Sequence, residues 1–153
     1  LAIGRRRRDL VFLFIGGGPQ LDSIQEMAKS TVGDMAVFLG PVERHTMSLW
    51  FGLSDIYISM MDLSQLGNST FEACLYGLAP VLRDNGETPA FFDRSSAMLV
   101  KDTDEAANAI EYLVENPDIR FSIGLGARNL ILQKLGTWED RIEKEIIQIE
   151  KYI

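Results

Sequence analysis

The segment Asp9-Leu-Val-Phe-Leu-Phe-Ile15, followed by Gly16-Gly17-Gly18-Pro19, constrains the chain more than any other feature. It is a continuous apolar run ended by glycines, the pattern of a strand covered on both faces, as in a parallel sheet. Parallel strands need crossover connections, so helices should alternate with strands. They do. Pro19 suits the first turn of a helix, and Gln20 to Ser30 has helical spacing in Leu21, Ile24, Met27 and Ala28. Met35 to Leu39 reads as a second strand closed by Gly40-Pro41, Glu43 to Leu53 as a helix, and Asp55 to Ser59 as a third strand. A polar loop, Asp62 to Asn68, leads to a helix over Ser69 to Tyr76 that Gly77 terminates. Ala79 to Leu82 and Ala97 to Val100 are the fourth and fifth strands, separated by the turn-rich stretch Asp84 to Pro89.

After Val100 only helices follow. Asp104 to Glu115 has a capping aspartate and an apolar face, Asn116-Pro117 breaks it, and Asp118 to Lys134 and Trp138 to Tyr152 complete the chain. The expected fold class is α/β, a doubly wound, Rossmann-like parallel sheet with C-terminal helices, as a single domain over residues 1–153. Ligands of such sheets bind at the carboxyl ends of the strands. The loops at 16–19, 40–43, 60–69 and 83–88 are therefore where function is expected.

Charge narrows the ligand. With 22 acidic and 15 basic side chains the formal charge is −7, and four of the basic residues are the run Arg5 to Arg8. Such a surface repels a phosphodiester backbone, so nucleic acid is not an expected partner. A small phosphate ligand needs only a local pocket of backbone N–H groups. One cysteine, Cys74, forms no internal disulfide, and with one histidine, His45, no structural zinc site is expected. A reducing, cytoplasmic setting fits. No apolar stretch approaches the roughly 20 residues of a membrane span. The chain begins at Leu1, and we expect it to be a piece of a longer protein.

Two segments could carry binding. Gly16-Gly17-Gly18-Pro19 joins a strand to a helix N-terminus, where free N–H groups favour a phosphate. It matches neither the dinucleotide fingerprint nor a P-loop, and a tight turn binding nothing is the competing reading. Ser64-Gln-Leu-Gly-Asn-Ser-Thr-Phe-Glu72 offers more. Gly67 permits close backbone approach, while Asn68, Ser69 and Thr70 supply cap-type side chains to a helix whose amides could hold a diphosphate. Glu72 could accept hydrogen bonds from sugar hydroxyls. A plain helix cap with a dipole-matched acid is the alternative. His45 reads as a surface histidine, Cys74 as a packed thiol, and Trp50 and Trp138 as core or boundary aromatics.

Taken in order, these segments resemble the C-terminal, nucleotide-sugar-binding half of a GT-B fold glycosyltransferase, of the group 1, family 4-like kind. "VFLFIGGGP" to Pro19 is similar to the family's strand and glycine turn, and Val37 to Val42 to the loop bordering the base. Leu49 to Ser59 resembles its following helix and strand, and "GNSTFEACLYGLAP" from Gly67 to Pro80 its signature helix. Asn85 to Pro89, Met98 to Val100, Asp104 to Arg128 and Thr137 to Glu139 resemble the later elements, so the likeness spans residues 9 to 152.

The resemblance implies transfer of a sugar from a nucleoside-diphosphate sugar to an acceptor, with no bound metal or other cofactor. Glu72 would hold the ribose hydroxyls, Gly67 to Ser69 would meet the diphosphate, and Val42 would border the base. Ser64 stands where the family has the first acid of its Glu-x7-Glu motif. No catalytic residue is therefore assigned. An N-terminal GT-B domain would supply the acceptor side, and the parent enzyme could touch a membrane peripherally. Two other functions stay open: a degenerate half that binds a nucleotide sugar or a partner without transfer, and a sugar-nucleotide epimerase.

Overall fold

Each apolar run becomes a strand, and each amphipathic run a helix. The computed structural model describes residues 9–62, 66–136 and 138–152. Arg5 to Arg8, Ser64 and Thr137 lie outside those residues, as do the side chains of Trp138 and Glu139. The order is β1 (Phe12–Ile15), α1 (Leu21–Thr31), a 3-10 turn (Gly33–Met35), β2 (Ala36–Gly40), α2 (Arg44–Gly52), β3 (Ile56–Ser59) and α3 (Asn68–Leu75). It continues with β4 (Ala79–Arg83), the single turn α4 (Thr88–Phe91), β5 (Met98–Val100), α5 (Thr103–Glu115), α6 (Pro117–Leu135) and α7 (Trp138–Glu150).

All strand pairs are parallel, flanked by helices, as a doubly wound α/β domain requires. The expectation of one sheet needs correction. The ladders form two sheets among the described residues, β1-β2 and β3-β4-β5. Side chains rather than backbone connect them: Leu10 and Phe12 pack against the cluster built on Ala79, Val81 and Leu113. The apolar runs predict cover on both faces, and this too needs correction. No residue of β1, β2 or β3 is buried, Phe14, Val37 and Ile58 are exposed, and only β4 is covered on both faces. Nor do the runs carry information about which edges pair. Between β1 and β2, Phe14 stacks on Phe38 with ring centroids 4.5 Å apart.

The core is organised around β4. Ala79 and Val81 belong to one cluster with Val100, Ile110, Leu113 and Ile123, whereas Leu82 belongs to a second with Cys74, Phe92, Ala97, Ala127 and Ile131. Successive residues of a strand point to opposite faces, so one strand supplies both clusters and shows no polar alternation. Helix α6 contributes to both, through Ile123 to one and Ala127 and Ile131 to the other.

Two helix boundaries differ from the sequence reading. The cap of α5 is Asp102, whose Oδ1 accepts from the Asp104 and Glu105 amides at 3.0 and 2.8 Å. Asp104 lies inside the first turn, where its charge favours the helix dipole. The turn-rich stretch at 84–89 contains the start of α4, organised by Asn85, whose Oδ1 accepts from the Glu87 and Thr88 amides and the Thr88 hydroxyl. Gly77, at φ +79°, ends α3 as expected.

Close approach of α6 to the rest of the fold depends on two glycines. A Cβ on Gly124 would lie 2.0 Å from the Gly77 carbonyl oxygen, and one on Gly126 would lie 2.1 Å from that of Ser95. Alanine gains about 1 kcal/mol of helix propensity over glycine, but overpacking against backbone costs about 1–3 kcal/mol and should win. Gly124→Ala is expected to lower the urea midpoint, while Gly52→Ala, where a Cβ meets nothing within 4 Å, should leave it level or raise it. A second measurement reads the core directly. Burial pushes the Cys74 thiol up to about 12. At pH 8.5 the folded chain should therefore resist iodoacetamide and react only as fast as it opens, becoming rapid in urea.

Candidate functional site

Because the strands are parallel, their carboxyl ends lie on one edge, and the loops that follow them gather there. The glycine turn after β1 meets the loop after β2: the Gly16 amide donates to the Gly40 carbonyl at 2.8 Å, and Gly17 faces Pro41. Gly16 has φ +122°, a conformation that favours glycine. Val42, half-buried, follows in the same loop and leads to α2.

Beyond β3 and β4 the loops border a small cleft open to solvent. Its lining includes Ser59 at the end of β3, Gly67 and Thr70 at the start of α3, Arg83 at the end of β4, and Asn85 and Thr88 beyond it. The predicted residues Gly67 and Thr70 thus share a wall with Arg83, Asn85 and Thr88.

The role expected of Asn68, Ser69 and Thr70 is corrected. The residue at the N-cap of α3 is Gly67, no side chain caps the helix, and the Thr70 amide donates to the Gly67 carbonyl at 2.9 Å. Asn68 to Thr70 are already inside the first turn, where their side chains no longer occupy the cap position. Two of the hydroxyls turn to β3 instead. Ser69 Oγ and the Tyr57 hydroxyl are 2.8 Å apart, and Thr70 Oγ1 donates to the Tyr57 oxygen at 3.4 Å. The amino end of α3 is thereby fastened to the sheet while its leading amides keep no side-chain cap. An uncapped helix N-terminus attracts an anion through both its N–H groups and its dipole.

Glu72 stands one turn further along α3, on the side of α2. Its Oε1 lies 3.9 Å from Arg44 Nη2. The guanidinium is 95% exposed and the carboxylate 40%, so solvent screens the pair and it adds little to stability. Glu72 is therefore available to another hydrogen-bond donor at small cost. His45 is an exposed histidine near Glu43, Trp50 is half-buried and Cys74 is buried, in keeping with their surface, boundary and packed roles.

Sequence reasoning did not single out Tyr57 or Arg83. The signal for Arg83 is a cation closing the otherwise apolar strand Ala79–Leu82. The expectation of a metal-free site also passed over one Asp-x-Asp spacing, Asp102-Thr103-Asp104. Asp102 caps α5 and Asp104 lies in its first turn. Among the described residues no three of His, Cys, Asp or Glu gather at metal-binding distance, and no helix is long and apolar enough to cross a membrane.

The Tyr57–Ser69 hydrogen bond should be measurable by a double-mutant cycle. Tyr57→Phe is expected to cost about 0.5–1.5 kcal/mol in urea unfolding. Adding Ser69→Ala should cost less than the sum of the two single changes, giving a coupling of about 0.5 kcal/mol or more.

Comparison with known proteins bears on the family and the fold. The chain is 25% identical over 141 residues to a GDP-mannose-dependent alpha-(1-6)-phosphatidylinositol monomannoside mannosyltransferase of Mycobacterium tuberculosis, over 85% of this chain and 37% of that protein. Its fold resembles Anabaena Alr3699/HepE, solved in complex with UDP-glucose, with a TM-score of 0.82 at 16% identity over 99% of this chain and 43% of that one. It also resembles the catalytic domain of cholesterol-alpha-glucosyltransferase from Helicobacter pylori, with a TM-score of 0.74 at 21% identity over 87% and 86% of the two chains. The chain thus spans about two fifths of the mannosyltransferase and of the Anabaena protein. Residues 2–116 match the family model described as glycosyl transferases group 1, and the chain belongs to that family.

Proposed function

We propose that this chain is the nucleotide-sugar-binding domain of a GT-B glycosyltransferase, acting on a nucleoside-diphosphate sugar together with a second domain that holds the acceptor. The observation that carries the reading is the uncapped amino end of α3, fixed to β3 by Tyr57 and set between Glu72 on one side and a polar cleft on the other. Family membership and the two relatives named with nucleotide sugars, GDP-mannose and UDP-glucose, support the same reading.

In this reading the amides of Asn68 and Ser69 meet the diphosphate, Glu72 takes the ribose hydroxyls, and Val42 with the Gly16-Gly17 turn borders the base. The chain's contribution to catalysis is positioning and stabilisation of charge as the diphosphate leaves, both of which operate without a resident metal. The acceptor side of the cleft belongs to the second domain. In this reading the compartment is reducing and cytoplasmic, where Cys74 stays a thiol, and the whole enzyme can contact a membrane surface peripherally.

Ser64, where the family carries an acid, favours one competing reading: a domain that binds a nucleotide sugar without transferring it. The family match gives the epimerase reading no support.

Calorimetric titration of the chain with UDP, GDP and ADP tests the reading. One nucleotide is expected to bind saturably. Glu72→Ala should weaken it by about ten- to hundredfold, the loss of a charge-assisted hydrogen bond to the ribose. Binding of all three with no effect of the substitution would remove Glu72 from the site, and binding of none would sink the donor-site reading.

A further inference from the structure

Arg83 has no assigned role in the donor-site reading above, yet its placement is unusual. It ends β4, whose other four residues, Ala79 to Leu82, are all buried. It is the only cation among the described residues lining the cleft, in a chain of net charge −7. Its Nε lies 3.3 Å from Asp62 Oδ1. A guanidinium offers five N–H donors in a planar fork, and the approach to Asp62 is through the one at its base. The fork is the part that suits a bidentate phosphate or carboxylate. The side chain of Asp62 is 70% exposed and that of Arg83 is 36% exposed, so the carboxylate orients the base of the guanidinium without neutralising a sealed pair.

The cleft also has a direction. Glu72 lies towards α2 beside Arg44, whereas Arg83 shares its wall with Gly67, Thr70, Asn85 and Thr88. With the nucleoside on the Glu72 side, a ligand crossing the amino end of α3 brings its far end to Arg83.

We propose that Arg83 receives an anionic group at that far end of the donor, with Asp62 acting as a positioning residue that holds Nε and leaves the Nη fork free. The group is either the phosphate remote from the nucleoside or a carboxylate on the transferred sugar. Resting on the donor-site reading, the assignment makes Arg83 a specificity-determining residue of that site. It also gives the site a cation from within this chain, next to amides that carry only partial charge.

The test uses the nucleotide that binds in calorimetry, its monophosphate, and competition by glucose 1-phosphate and glucuronate 1-phosphate, each against wild type, Arg83→Gln and Arg83→Lys. If the group is the phosphate, the diphosphate binds about ten- to hundredfold tighter than the monophosphate, and Arg83→Gln reduces that ratio below about threefold while leaving the monophosphate affinity unchanged. If it is a carboxylate, Arg83→Gln spares that ratio and abolishes an advantage of about tenfold or more for glucuronate 1-phosphate over glucose 1-phosphate. Arg83→Lys keeps the charge but not the fork and should fall between the two. Thermal unfolding of Arg83→Gln checks that the variant is folded. A folded Arg83→Gln that changes neither ratio overturns the assignment, and if Glu72→Ala still weakens nucleotide binding, the donor-site reading survives it. A wild-type chain that binds no nucleotide defeats both.

Discussion

Burial of β4 on both faces is the constraint on which the rest of this structure depends. Val81 and Leu82 are 0% and 2% exposed and point into different clusters, so the strand ties α5 to one face and α3 with much of α6 to the other. Fully burying one such side chain contributes about 1.5–3 kcal/mol, and β4 does so in succession without a polar residue between. A strand held in this way has little freedom to shift register, because a slip of one residue would exchange the two faces. The backbone position of Arg83, one residue past Leu82, is fixed by that register and by its pairing with Val100, while Asp62 lies against its side chain.

The helices transmit the same constraint to the carboxyl edge. Helix α6 can lie close to the fold because Gly124 and Gly126 have no Cβ to strike the carbonyls of Gly77 and Ser95. Those carbonyls belong to the turns that end α3 and precede β5, so the packing of α6 determines where both turns sit. At its other end α3 is tied to β3 by Tyr57, whose ring packs against both clusters that involve α3. A helix located at both ends presents its leading amides in one place. Preorganised amides of this kind need little rearrangement when an anion arrives.

How far the sequence revealed this depends on the range of the interaction. The five strands were legible because each is a short apolar run with polar or turn-forming residues near its ends, and the end of α3 because Gly77 supplies the positive φ that a helix terminus favours. The split into β1-β2 and β3-β4-β5 was not, since strand neighbours are a property of edges and the side-chain pattern records only faces. The misplaced caps have a related cause. Ser69 and Thr70 have the right chemistry for an N-cap, but one residue of helix start decides whether a hydroxyl caps or turns outward, and Tyr57, twelve residues away from Ser69, captures it. Arg83 reads as an ordinary charged residue after a strand until β3, β4 and α3 are brought together.

An acidic protein proposed to bind an anionic ligand would have to solve an electrostatic problem locally. Here the leading edge of α3 lies between two cations, Arg44 and Arg83, each already near a carboxylate, Glu72 or Asp62. Had those pairs been sealed from water, separating either would leave an uncompensated buried charge and cost several kcal/mol. Both are exposed enough to be worth about 0–1 kcal/mol each, so a ligand can use the cation, or the acid, for a small loss. The carboxylates then serve while the site is empty: they hold the guanidinium groups at the edge and limit the attraction of unrelated anions. In the proposed reading, a ligand with a phosphate for the α3 amides and hydroxyls for Glu72 would recover the hydrogen bonds that replace both arrangements. The overall negative charge disfavours polyanions at the same time, in keeping with the small, mixed sugar and phosphate ligand proposed for this edge.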